Sequence, residues 1–428
     1  MKPWLDLKSY SLEVLSGIKN YEIASAIDTL ISSFDKPVKK ALLIPPDITR
    51  KNSGAGVITS MFFSKLEPLC HCDILPALGS HMPMTRNEQI DFFGGDIPAD
   101  RFFVHNWRED VVTIGYVPAE YVSVISDNEM NDCIPIEVNR NIINGGYDII
   151  ISIGQVVPHE VVGMANYTKN ILVGCGGIKM INSSHMLSVF YGTEKLLGID
   201  NSPVRKLFDY VQENFLKTLP LVYVMTVTTQ CNPDTESGKA KTLINGLYIG
   251  NTRDCFEKAV SLSQQLNITR IEPKIEKCVV FLDPEEFRTS WVGNKAVYRT
   301  RKALAKNAEL IILAPGFERF GEDEEIDRLI RKYGFQGRQK LLSMLRETDE
   351  LFSNMSVVAH LVQGSTDGNF SITYCTKPVH KDEINSVGYN WADIDDAIKI
   401  YGDLKDGWNE REGKYIYYVS NPALGLWM

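Results

Sequence analysis

The sequence predicts two α/β domains with mainly parallel sheets and the active site in the cleft between them. Three observations carry this. Short apolar runs end repeatedly in Gly, Pro, Asp or Asn; amphipathic patterns lie between them; and the rhythm restarts after a polar connection, "NITRIEPKIEK", at 267–277. Buried strands alternating with helices are the pattern of a sheet covered on both faces. In the first domain, 1–270, "KKALLIPPD", "CDILPALGS", "FFVHNW" and "YDIIISIG" read as strands, with helices in "MFFSKLEPL", "MTRNEQIDFFG" and "IPIEVNRNII". A β-rich stretch follows, "LVYVMTVTTQCN" and "LINGLYIG", then a helix, "DCFEKAVSLSQQL". In the smaller second domain, 271–428, "CVVFLD", "AELIILAPG", "SVVAHLVQG" and "YIYYVSN" read as strands, and "NKAVYRTRKALAKN" and "DEEIDRLIRKYG" as helices.

Composition excludes several classes. At 428 residues and 44% hydrophobic the chain is ordinary globular material, and its net charge of −9 argues against a nucleic-acid face. The start, "MKPWLDLKSYSLEVL", shows no basic segment followed by an apolar core, so no leader is expected. The longest apolar runs fall short of the ~20 residues that cross a bilayer. Eight cysteines lack a repeated spacing, and adjacent ligands in the "CHC" at 70–72 would bite poorly around one ion. Buried thiols in a reduced, cytoplasmic protein are the expectation.

Ligands of open α/β sheets sit beyond the carboxyl ends of the strands. There the sequence puts Asp47, Thr49 and Arg50 ("PPDITR"), His81 ("LGSHMPMT") and His159 ("QVVPH"). Arg50 offers a planar fork matched to a carboxylate, and histidine can take and return a proton near neutral pH. Two histidines on separate strand ends could face one carbon from opposite sides, as inversion of a stereocentre requires. Lys169, in "MANYTKN", has few acidic residues near it in sequence. It reads either as a desolvated nucleophile or as a solvated lysine. "GCGG" at 174–177 is a turn or a close backbone approach to a ligand, and His185, ahead of a helix in "MLSVFYG", can ligate a transition metal.

Together these residues resemble the lactate racemases that carry a nickel-pincer nucleotide, and their 2-hydroxyacid racemase and epimerase relatives. The likeness rests on "PPDITR", "LGSHMPMT", the order His159, Lys169, His185, and "VYRTRKAL" at 297–304. The resemblance implies a pyridinium-3,5-bisthiocarboxylic acid mononucleotide held covalently on Lys169, with nickel bound by the cofactor and by His185. It implies His81 and His159 as paired acid and base, Arg50 on the substrate carboxylate with Asp47 in support, and Lys302 reaching in from the second domain. Thr49, Tyr298 and Arg299 would contact the cofactor, and separate biosynthetic enzymes would make it.

The sequence departs from lactate racemases at three places. Asn166, Tyr167 and Thr168 stand where those enzymes have a glycine-glycine-arginine run before the lysine. Arg299 replaces a glutamine, and Met82 follows His81 where an arginine is often found. Asn166, Thr168 and Arg299 suggest a longer, more polar acid than lactate, such as gluconate. The alternatives are a nicotinamide-type dehydrogenase, a metal-dependent hydrolase, or a non-catalytic binding protein on a similar scaffold. Against them stand the missing GxGxxG context and the missing HExxH or paired-carboxylate ligand set.

Overall fold

The computed structural model describes residues 9–231, 241–345 and 347–428. Residues 1–8, where the expectation of no leader begins, and Asn232, at the end of one predicted β stretch, lie outside them. The chain divides into two compact units, Met1–Phe190 with Leu197–Asn267, and Tyr191–Leu196 with Ile268–Met428.

The first unit is built on a six-stranded sheet in the order Tyr10–Glu13, Lys241–Gly250, Leu221–Cys231, Ile149–Gln155, Lys40–Ile44, His71–Ile74. The last four strands pair in parallel, and the other two pairings are antiparallel. Ala41 to Ile44 and all of Ile149–Gln155 are buried, which is why both read as unbroken apolar runs. Helices Asn20–Ser32 and Ala55–Leu66 bring Ile23, Ile27, Phe62 and Leu66 onto one face, against Leu43, Ile151 and Val224. From Lys40–Ile44 the chain moves to one side, to His71–Ile74, and then returns to the other side for Ile149–Gln155. Strand order therefore reverses between Lys40–Ile44 and Ile149–Gln155, the place where an α/β sheet opens a crevice at its carboxyl end. Asp47 and Arg50 follow one of these two strands, and His159 follows the other.

The second unit has its own six-stranded sheet, ordered Asn390–Asp393, Phe370–Thr376, Leu304–Leu313, Ile275–Phe281, Lys414–Val419, Gly407–Arg411. Four of its five pairings are parallel. Val279, Ile311, Leu313 and Cys375 form a core with Ile394 and Ala397 of the helix Ile394–Tyr401. Mainly parallel α/β architecture is thus observed, as the sequence predicts.

Four local predictions are corrected. "SVVAHLVQG" is not a strand but most of the helix Met355–Gly364, buried on every side, and a fully apolar run has no period to tell the two apart. "IPIEVNRNII" is mainly the strand Ile134–Asn139, with only a short helix, Arg140–Asn144, after it. "FFVHNW" forms no strand: Phe102 makes one isolated bridge to Ile74. "NKAVYRTRKALAKN" is helical only to Thr300, and by Leu304 the chain is already a strand. Among the described residues no helix is long and apolar enough to cross a membrane.

Candidate active site

Asp47 caps the short 3-10 helix Ile48–Ser53, accepting from the Thr49 amide at 3.0 Å and its hydroxyl at 2.5 Å. Its other oxygen meets His81 Nδ1 at 2.6 Å. Burial opposes ionisation of Asp47, but His81, Thr49 and Arg50 outweigh it and hold the carboxyl below its ordinary range. An ionised carboxylate only accepts, so Nδ1 of His81 carries a proton and Nε2 is the nitrogen that titrates. This is the carboxylate–imidazole arrangement of a general base. Thr49, expected to touch a cofactor, has its hydroxyl committed to Asp47.

His159 opens a tight hairpin, Pro158–His159 paired with Gly163–Met164. Its ring is buried, and Nδ1 accepts from the Val161 amide at 3.1 Å. The Glu160 carboxylate lies 3.7 Å from the same nitrogen.

The hairpin leads into a strained loop. Asn166 and Tyr167 both have left-handed φ, 70° and 57°, which is uncommon for non-glycine residues and costly for a buried tyrosine. Three anchors sustain it. The Asn166 side chain accepts from the Tyr167 amide at 2.7 Å, and the Tyr167 ring packs on Tyr223 and Phe256. Arg205, from the helix Pro203–Val211, donates to Thr168 Oγ1 at 2.9 Å, to Met164 O at 2.7 Å and to Asn166 O at 3.2 Å. Arg205 is wholly enclosed, and burial pulls even its guanidinium down to about 10. Arg205→Ala would strand two carbonyls and a hydroxyl inside the protein. We expect a loss on the order of 3–5 kcal/mol in denaturant unfolding. A loss below about 1 kcal/mol would mean that the loop stands without this brace.

The loop delivers Lys169. Among the described residues its amine has no hydrogen bond or ion pair. Burial, helped by Arg50 and opposed by Glu160 and Asp47, brings it down to about 8. This shift favours the neutral amine, the form that a nucleophilic lysine needs. Asn166 Nδ2, three residues earlier, is also buried without a partner among the described residues.

His185 lies within the helix Ile178–Tyr191, not ahead of one. Its Nδ1 is 2.6 Å from the Ile181 carbonyl, which only accepts, so the proton sits on Nδ1 and Nε2 presents a lone pair. Burial keeps the ring neutral, with its pKa at about 4. A neutral imidazole fixed by a backbone carbonyl is the form in which histidine ligates metals. Buried Glu137 accepts from the Lys179 amide at 2.9 Å and so steadies the start of this helix. The glycines of "GCGG" serve packing: a Cβ at 174, 176 or 177 would meet Ala77, the Leu172 carbonyl or Glu137 at 2.6 Å or less.

Asp47, Arg50, His81, His159, Lys169 and His185 therefore converge in one charged neighbourhood of the first unit, joined by Glu160. Sequence reading missed Arg205, which lies far along the chain with no local signal. It also passed over Glu160, although "HE" stood in plain view. In the second unit Tyr298 is buried, and the enclosed Arg299 donates to the Gly425 carbonyl at 2.9 Å. Lys302 is half-buried, and burial, Lys274 and Arg270 lower its amine against the pull of Glu194. In the "CHC" segment Cys72 is buried and its thiol pushed well up, while His71 pairs with Asp73 at 2.8 Å. Among the described residues no three or more His, Cys, Asp or Glu are grouped to hold a metal ion.

A two-unit α/β protein with a histidine–carboxylate pair and a half-buried lysine of lowered pKa is the class so defined. Residues 17–196 match the lactate racemase N-terminal domain. The chain is 23% identical to the lactate racemase of Thermoanaerobacterium thermosaccharolyticum over 222 residues, half of this chain but 43% of that protein. The fold matches a crystal structure of a Thermotoga maritima protein with a TM-score of 0.82 and 23% identity, covering 97% of this chain and 99% of that one. It matches the lactate racemase apoprotein of T. thermosaccharolyticum with a TM-score of 0.65 and 16% identity, covering 97% and 91%. The N-terminal part of the chain is thus similar to that of lactate racemases, and the match spans less than half the length of the curated relative.

Proposed function

We propose that the protein is a racemase or epimerase inverting C2 of a 2-hydroxyacid, with a nickel-pincer nucleotide bound covalently at Lys169. The observation that carries this reading is the unpartnered Lys169 amine, held near neutrality among Arg50, Asp47 and Glu160. The residues present fit the group. Lys169 offers a nucleophile for the covalent link, and His185 offers one nitrogen lone pair of fixed tautomer. With no further metal-ligand cluster among the described residues, the remaining donors would come from the nucleotide, whose soft sulfurs suit nickel.

When bound, the cofactor supplies a reversible acceptor for the C2 hydride. The chain does the rest. Arg50 grips the substrate carboxylate as a planar fork. His81 Nε2 takes the hydroxyl proton, and Asp47 stabilises the imidazolium that results. His159 serves the opposite face as proton donor. Lys302, Thr49, Tyr298 and Arg299 keep their proposed contacts on the resemblance alone. Cytoplasmic location and supply by cofactor-building enzymes belong to the same proposal. A longer acid such as gluconate is the finer proposal. Thr168 and Arg299, two of the departures behind it, have internal partners in Arg205 and Gly425, so an assay must set the chain length.

The test is reconstitution with nucleotide and nickel, followed by chiral chromatography of a panel of 2-hydroxyacids. We expect an adduct on Lys169 by intact mass, and inversion of at least one acid. A fully loaded protein that inverts none would end this reading.

A further inference from the structure

The two histidines differ in the nitrogen they hold back. His81 keeps its proton on Nδ1 against Asp47, and Nε2 titrates. In His159 a backbone N–H points at Nδ1, so Nδ1 is bare and the neutral ring carries its proton on Nε2. A ring in that form can donate from Nε2 only by becoming an anion, which no physiological pH allows. To act as an acid, His159 must first be an imidazolium with protons on both nitrogens. Its new Nδ1–H then faces the Val161 N–H, donor against donor, and needs an acceptor. The Glu160 carboxylate stands 3.7 Å from that nitrogen, beyond a hydrogen bond but within ion-pair distance.

We infer that Glu160 is the positioning residue for His159, the counterpart of Asp47 for His81. Nδ1 of His159 exchanges the Val161 amide for the Glu160 carboxylate whenever the ring is charged. This rests on the proposed racemase reading for its catalytic meaning but not for its geometry. The step balances: imidazolium Nε2–H passes its proton to the substrate oxygen, the bonding pair stays on the ring, and the remaining proton stays on Nδ1, held by Glu160. For the opposite hand of substrate the sequence runs in reverse.

Glu160 is the carboxylate placed against this ring nitrogen, and several other charged groups nearby are committed elsewhere. Lys169 lies in the field of Glu160; as a cation it cannot accept from the ring, and in the proposed holoenzyme its nitrogen is committed to the nucleotide. The helix Arg253–Asn267 packs against Pro158–His159 and carries Arg253, Asp254 and Glu257. Arg253 there is bound to Asp200, Asp209 and Glu257. His185 is held neutral by burial and bonded to Ile181.

The test uses the full-length chain with isotope-labelled histidine side chains, followed by NMR across pH. His159 is assigned by comparison with His159→Gln. Glu160→Gln preserves shape and removes the charge. We expect it to lower the proton affinity of His159 about tenfold, the usual effect of losing one nearby opposite charge, and to leave His81 where it was. Glu160→Asp should restore part of the shift. In the reconstituted enzyme, the alkaline fall of the rate, where the donor loses its proton, should move down in pH with Glu160→Gln. A His159 titration unmoved by Glu160→Gln overturns the inference, whatever the activity. If the titration moves but wild-type enzyme inverts no hydroxyacid, the pairing stands and the racemase reading fails.

Discussion

Lys169→Met folds, acquires no adduct and inverts no substrate. Methionine keeps the aliphatic stem and removes only the amine, so the packing of the strained loop survives. On the proposed function, turnover should fall below detection because the covalent link to the nucleotide is lost. Stability separates this from a folding defect. The Lys169 amine titrates at about 8 in the native chain against an ordinary 10.5. Between those values the unfolded chain binds more protons than the native one, so the unmodified protein gains stability as pH rises from about 8 to 10.5. Below pH 8 the native state carries the whole burden of a desolvated cation. Lys169→Met lacks both burden and gain, so its advantage over wild type should be largest near pH 7 and shrink towards pH 10. The scale is on the order of 1–3 kcal/mol, allowing for a residue that is only half-buried. Denaturant melts of both proteins across this range, with intact mass, decide it. Full activity in the variant would remove Lys169 from the cofactor site.

The second large effect concerns the paired histidines. His81→Ala and His159→Ala should each lose steady-state inversion by ~10²–10⁴, the usual worth of a positioned acid or base. Each should still act once on the hand of substrate that faces the surviving ring. In quenched single-turnover reactions of the reconstituted variants, 2-keto acid should appear from one isomer with His81→Ala and from the other with His159→Ala. If both variants respond to the same isomer, one histidine only binds. If the two rings act as proposed, His81 is the better poised base, since its Nδ1–H is already held by Asp47.

The sheets were legible because parallel strands buried on both faces must be apolar throughout, as "ALLI" and "DIIISI" are. The same property hid Met355–Gly364, whose burial on all sides erased the helical period. Asp47, His81 and His159 could be singled out in the sequence because strand ends are where such a fold binds ligands. The candidate site was illegible at Arg205, whose three hydrogen bonds to the lysine loop span 37 to 41 positions of sequence. Glu160 was missed for another reason: its meaning depends on which ring nitrogen of its neighbour is occupied, and no string of letters records a tautomer.

The loop before Lys169 also recasts a departure as a conservation of form. Asn166 and Tyr167 occupy left-handed angles that glycines adopt without strain, and those are the positions where lactate racemases place their two glycines. The arginine that follows those glycines is threonine here, and a guanidinium returns to it from Arg205. In this chain the loop is then defined by a pair of dihedral angles with a cation close by, not by a tripeptide. Asn166, Tyr167, Thr168 and Arg205 form a single bonded unit. Grafting a glycine-glycine-arginine run into this chain would leave two guanidiniums competing for one enclosed place.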